Sequence, residues 1–259
     1  MSKYLKSEIY RVFHNRGSYL FLLVCSIMMI TSNVVLAAIK ARDAAFPYAT
    51  TKFSFMNIYA NLPFLFMLTI AVGFMVFSNE FQSHTMKNTI SFGITRRTVY
   101  CSKFIVEILY AVIALLIIMG VHIASSYLLL ENSGIKRTVE LLRALLAALP
   151  LLINGIAITN AMLFCIEGTG GAIGAAIGIM MGLPTVCSIL GMRFDVFVKI
   201  GSYLPYNILS EVHFDEATGS MVTYWDTALG MGKCWMIGLA ESLVVLLIGY
   251  YFFRKREIK

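Results

Sequence analysis

Residues 104–130, FIVEILYAVIALLIIMGVHIASSYLLL, decide the class of this chain. The run holds one carboxylate, Glu107, and one imidazole, His122. A helix crosses a bilayer with roughly 20 mostly apolar residues. This run therefore spans, with length left over to tilt or to project beyond the membrane. Further runs of like character lie at about 18–39, 58–77, 141–166, 170–192 and 234–253.

Composition agrees with that reading. The 259 residues are 59% hydrophobic and 14% charged, with a mean hydropathy of +0.78. Soluble domains are about 45–50% apolar and about 25% charged. A water-soluble globule, a disordered chain and a secreted disulfide scaffold are excluded. Cys25, Cys101, Cys165, Cys187 and Cys234 are scattered and show no metal-ligand spacing, so they read as small core residues. The expected fold is an all-α integral membrane protein: one domain, 1–259, of six transmembrane helices. No cleaved signal peptide is expected, because the first apolar run is long and no Ala-x-Ala site follows it closely. The net charge of +7 marks cytoplasmic flanks rather than a nucleic-acid partner.

Lys and Arg set the orientation. With six spans both termini share a side. That side carries Lys3, Lys6, Arg11, Arg16, Lys87, Arg96, Arg97, Lys103, Arg254, Lys255, Arg256 and Lys259, packed close to helix ends. The opposite loops carry fewer basic residues and nearly as many acids as bases. Both termini are expected in the cytoplasm.

Segments outside the spans have their own patterns. Within 1–17, Leu5, Ile9, Val12 and Phe13 share a helical face, with Lys3, Lys6, Arg11 and Asn15 elsewhere, which predicts an amphipathic interfacial helix. In the stretch 78–103, Ser78 or Asn79 can cap a short helix with Glu80 early and Lys87 late. Phe92-Gly93 breaks it, and Thr95 can cap a helix running into the third span. The external loop 40–57 is polar and contains Pro47. The external segment 193–233 is too long for a turn. Its apolar pieces and Pro205 predict short helices, at the outer surface or re-entering the bilayer, with Trp225 and Trp235 at headgroup depth.

Chemistry-bearing motifs are few. The sequence holds no GxxxxGK[ST], so no P-loop ATPase is expected in this chain, and neither Gly-x-Ser-x-Gly nor His-Glu-x-x-His accompanies His122. No catalytic residue and no metal site is assigned. His122 with Ser125 and Ser126 reads as a polar contact between helices, and His213-Phe-Asp215-Glu216 as a solvated turn. Gly170, Gly174, Gly178 and Gly182 repeat every four residues, which predicts close helix packing, within the subunit or at a sliding surface. Glu107 sits one turn from Lys103 and can snorkel to the interface. Glu241 lies about 12 Å deeper than Lys233 along its helix. A charge there is costly unless paired, hydrated or protonated. Glu241, Asn154, Asn160 and Asn33 are the candidate pathway residues; helix pairing explains them equally well.

Glu80, then Thr85, Lys87, Ile90-Ser91, Gly93, Thr95-Arg96-Arg97 and Lys103 together resemble the pattern of ABC type-2 transporter permeases. In that family an acidic residue ends the second span. A GT-x-K element follows, then L-S-x-P-x-S-R, then a Lys opening the third span. Here His84-Thr85-Met86-Lys87 stands for GT-x-K with His for Gly, Gly93 replaces the usual Pro, and Thr95-Arg96 matches Ser-Arg. The resemblance implies a non-catalytic membrane subunit of an ATP-driven exporter. Its partners would be a separate ATP-binding subunit, which binds ATP and Mg, and a second permease subunit, alike or different. The helix within 78–97 would be the coupling helix, with Glu80, Phe81, His84, Thr85, Met86, Lys87 and Arg96 facing the ATPase. The stretch 1–17 would be the connecting helix. Small permeases of this kind resemble those of bacitracin and lantibiotic self-protection or multidrug export, in a bacterial cell membrane. The importer loop Glu-Ala-Ala-x-x-x-Gly is not supplied by Glu167-Gly168-Thr169-Gly170. The alternative is an ion-coupled secondary transporter using Glu241 and Glu107, for which the inverted repeats are not seen.

Overall fold

The computed structural model describes residues 2–83, 89–215 and 220–256, with the backbone alone at 2, 78–83, 213–215 and 220–221. The chain opens with α1 (Ser2–Phe13), which leads into α2 (Arg16–Arg42). The Asn15 side chain caps α2 by accepting from the Gly17 N–H at 3.0 Å. Lys40 and Arg42 occupy its last turn, where cations suit the helix dipole.

The second apolar run is not one straight span. It is α3 (Thr51–Ala60), a 3-10 turn at Leu62–Phe64 and α4 (Leu65–Ser83), bent by 60° at the break. Pro63 falls at the start of the 3-10 turn, where it has no N–H to give an α-helix. The expected polar loop 40–57 is correspondingly shorter, because Thr50 caps α3 by accepting from the Phe53 N–H.

Next come α5 (Arg96–Leu129) and α6 (Lys136–Cys165). Thr95 caps α5 as its sequence predicts, accepting from the Thr98 N–H at 3.3 Å. The fifth run is α7 (Thr169–Ile177), a π turn at Gly178–Gly182 and α8 (Leu183–Gly191). The last long helix is α11 (Ala228–Lys255). Among the described residues, five helical segments are long and apolar enough to cross a membrane, and the bent pair makes up to six.

The segment 193–233 holds the expected short helices, α9 (Asp195–Gly201) and α10 (Pro205–Ser210). It also departs from an all-α fold. Strands β1 (Val212–Asp215) and β2 (Ser220–Thr223) pair antiparallel, with Val212 opposite Thr223 and Asp215 opposite Ser220. Val212, Val222 and Thr223 are β-branched and favour extended backbone. Trp225, expected at headgroup depth, is buried within the protein at 2% exposure, in a 3-10 turn that contacts α6 and α11.

Helix α6 is the centre of the bundle and is buried on most of its length. Glycines let its neighbours come close. A Cβ at Gly238 would lie 2.5 Å from the Pro150 carbonyl carbon, and one at Gly249 would lie 2.6 Å from the Ala161 Cβ. On the other side, a Cβ at Gly73 would meet the Thr159 methyl at 2.4 Å. Lipid tails are as apolar as leucine, so such close backbone approach, rather than hydrophobicity, holds helices together in a membrane.

Both described chain ends lie at one end of the bundle. The Arg96 guanidinium at the start of α5 donates to the carbonyls of Phe253, Arg254 and Arg256. Arg256 donates to the Phe164 carbonyl near the end of α6. At the opposite end Lys40 pairs with Glu131, and the Thr51 N–H donates to the Glu131 carbonyl at 2.9 Å.

Candidate functional site

At the end carrying the termini, α1 is fixed by buried charges. Its apolar face, with Val12 at 2% exposure, lies on α5. Within that face Glu8 accepts from Lys103 Nζ at 3.1 Å and from Arg11 Nη2 at 2.5 Å. Both cations also donate to the Val76 carbonyl on α4, at 3.3 Å and 2.6 Å. Lys103 is fully buried, with its ammonium 4.8 Å from the centre of the Phe77 ring. Burial acts to raise the Glu8 carboxyl, but the charges and hydrogen bonds of Lys103 and Arg11 outweigh it and hold Glu8 below its ordinary value. This clamp ties α1 to the end of α4 and the start of α5, the two helices that flank residues 84–88. Sequence reasoning placed Lys103 at this position but missed Glu8, a lone acid inside the basic helix.

His84, Thr85, Met86 and Lys87 lie outside the described residues, and Glu80 and Phe81 belong to the last turns of α4. Arg96, expected to face a partner, is turned onto the end of α11, and its guanidinium lies 5.7 Å from the Phe253 ring centre.

The four pathway candidates do not gather at one site. Asn33 sits in a polar cluster joining α2, α3 and α5. Its amide nitrogen donates to Ser125 Oγ at 2.8 Å and Ser126 Oγ at 2.9 Å, and its oxygen accepts from Ser54 Oγ at 2.7 Å. His122 Nε2 lies 3.2 Å from the same Ser54 hydroxyl. Asn33 is wholly buried, with both ends of its amide engaged in bonds between helices. His122 has the interhelical role its sequence predicts.

Glu107 does not snorkel. It is completely buried, and neither carboxyl oxygen has a hydrogen-bond partner among the described residues. The reason is packing: Gly73 of α4 leaves the room that Glu107 Oε1 fills, 3.5 Å from where a Cβ would stand. Asn160 and Tyr100 are likewise buried, with the Asn160 amide beside the Tyr100 hydroxyl.

Asn154 and Glu241 do meet. Asn154 Nδ2 donates to Glu241 Oε2 at 3.3 Å, linking α6 to α11, while Asn154 Oδ1 is buried without a partner among the described residues. Both line a cavity of about 320 Å³ with Phe66, Met180, Pro184 and Tyr206. The π turn supplies Met180 and sets the entry of α8 beside it. Asn160, six residues further along α6, is about 9 Å away along the axis and does not line this cavity.

The glycine stripe is open. A Cβ at Gly170, Gly174, Gly178 or Gly182 would meet nothing within 4 Å. The packing face of this segment is the other one, with Ala172, Ala176 and Met180 buried. Close packing of the stripe inside the subunit is thus overturned. The small residues that bring helices together here are Gly238 and Gly249, with the buried Cys234 and Ser242 on the same face of α11. Their spacing of four and seven was the signal in the sequence.

A family model described as ABC-2 family transporter protein matches residues 4–181. The match runs from α1 into the π turn, so α11 with Glu241 lies beyond it. No curated protein matches the chain. The matched stretch contains the Glu8–Lys103 clamp, the flanks of residues 84–88 and four of the long apolar segments. The chain therefore belongs to the ABC-2 transporter permease family and is a multi-pass membrane component of an ABC transporter, in a family whose ATP hydrolysis is the work of an ATP-binding partner.

Proposed function

We propose that this chain is the permease subunit of an ATP-driven exporter that clears an antimicrobial peptide, a lantibiotic or an amphipathic drug from a bacterial membrane. It works paired with a second permease subunit, a copy or a paralogue, and both termini lie in the cytoplasm. A separate subunit binds ATP and Mg and grips residues 80–87. The observation that carries this reading is the clamp of Glu8, Arg11 and Lys103 on the Val76 carbonyl. A force applied between α4 and α5 needs a stiff anchor at that place to move the helices as bodies. Arg96 serves this anchor from the side, holding α11 to the start of α5.

The test is protection of a sensitive bacterial strain against a panel of lantibiotics, bacitracin and amphipathic drugs. Co-expression with the ATP-binding subunit is expected to raise tolerance to at least one of them, and neither subunit alone is expected to do so. Protection by this chain alone would overturn the reading, and so would unchanged tolerance across the panel when both subunits are expressed.

A further inference from the structure

We propose that the cavity between α6, α8, α10 and α11 is a binding site for a lipophilic monocation, an apolar body carrying one ammonium or guanidinium group. Its size, about 320 Å³, is that of a small-molecule site. Its walls are almost wholly apolar: Phe66, Ile158, Met180, Pro184 and Val245, with the Tyr206 ring. Into this lining project one carboxylate, Glu241, and one amide, Asn154. The mouth is rimmed by the exposed Ile179, Leu183 and Val244, on the surface that long apolar helices turn toward lipid or a neighbouring subunit.

The polar groups specify the ligand. Glu241 forms no ion pair with the described residues, and its one hydrogen bond comes from Asn154. Asn154 gives one of its two N–H groups to that bond, and its Oδ1 is buried without a partner among the described residues. The cavity thus offers one carboxyl group in an otherwise almost wholly apolar wall. An ionised Glu241 repels an anion. A neutral apolar molecule leaves the carboxylate uncompensated in an apolar wall, where a charge is costly. An ammonium or guanidinium supplies both the opposite charge and N–H groups for Glu241, in charge-assisted bonds. A quaternary ammonium has the charge but no N–H to give Glu241, and so ranks below a primary amine. This inference rests on the exporter reading only for its consequence, that such a cation is cargo; the binding itself needs no ATP.

The experiment is a fluorescence titration of the full chain in lipid discs, without nucleotide or ATP-binding subunit. The probe is dansylcadaverine, a primary alkylammonium with an aromatic body, compared with its N-acetylated, uncharged form. Signal from empty discs is subtracted. The amine is expected to bind about tenfold or more tightly than the amide. Glu241→Gln is expected to bring the two within about threefold of each other by loss of the amine's advantage alone. Equal binding of amine and amide by the unsubstituted protein overturns the proposal, and so does an undiminished preference in Glu241→Gln. The first comparison needs no substitution, so a poorly folding variant cannot mask it. Charge-selective binding without ATP-dependent protection of cells would leave this site standing and sink the exporter reading. Protection without charge-selective binding would do the reverse.

Discussion

Lys103 on α5 and Glu8 on α1, 95 residues apart in sequence, meet at 3.1 Å inside the protein, with Lys103 fully shielded from solvent. Arg11 and the Val76 carbonyl complete the contact, so three helices share one buried ionic joint.

Removal of one partner from such a joint leaves a charge stranded. Glu8→Gln is expected to cost about 3 kcal/mol, and the double variant Glu8→Gln, Lys103→Met much less than the sum of the single changes. Thermal unfolding of the four proteins of that cycle in detergent measures the coupling. Additive losses would show that the pair is incidental.

Acid should open the same joint. The Glu8 carboxyl ionises below its ordinary value of 4.5 in the folded protein. Its stabilisation is therefore complete above 4.5 and lost as pH falls through the lower native value. Hydrogen exchange of α1 is expected to accelerate on acidification through that window, and to lose that step in Glu8→Gln. An identical pH response in both proteins would contradict the assignment.

Two glycines separate packed from open faces of the bundle. Gly238→Leu drives a side chain into the Pro150 backbone, which cannot yield, and is expected to lower stability by about 2 kcal/mol or more. Gly178→Leu meets open space and is expected to leave the unfolding temperature of the isolated subunit nearly unchanged. Equal losses in the two variants would mean that the stripe is packed after all.

The Asn33 cluster carries a further expectation. Asn33→Ala strands Ser54 and its neighbours without their amide partner, at a cost of about 2 kcal/mol. Ser54→Ala removes one bond of the set and is expected to cost less. Thermal unfolding checks the order, and a harmless Asn33→Ala would refute a structural role for the cluster.

The long helices were legible in the sequence because a bilayer demands about 20 apolar residues in a row, and α2, α5, α6 and α11 supply them without interruption. The Thr95 cap and a helix near the N-terminus, Ser2–Phe13, were legible too, since caps and helical periodicity are local signals. The bend at Asn61 was hidden, because Pro63 sits inside a run that hydropathy reads as continuous. The hairpin was hidden because its strands are short and their pairing is decided by tertiary contacts. At the site, Asn154 and Glu241 were each visible as polar residues in apolar runs, but their meeting is a tertiary fact. The burial of Glu107 was misjudged for the same reason: its helix alone offers a route to the interface, and the packing of α4 and α6 around Gly73 closes it.

The most direct test of coupling at the terminal end is a crosslink. A single cysteine replaces Thr85 in a background with Cys25, Cys101, Cys165, Cys187 and Cys234 changed to serine or alanine, and a short bifunctional reagent is applied to the complex with the ATP-binding subunit in inverted membrane vesicles. Coupling through residues 80–87 predicts a one-to-one crosslinked product that changes with bound nucleotide. Absence of that product, with the cysteine labelled only from the outer side of the cell, would contradict it.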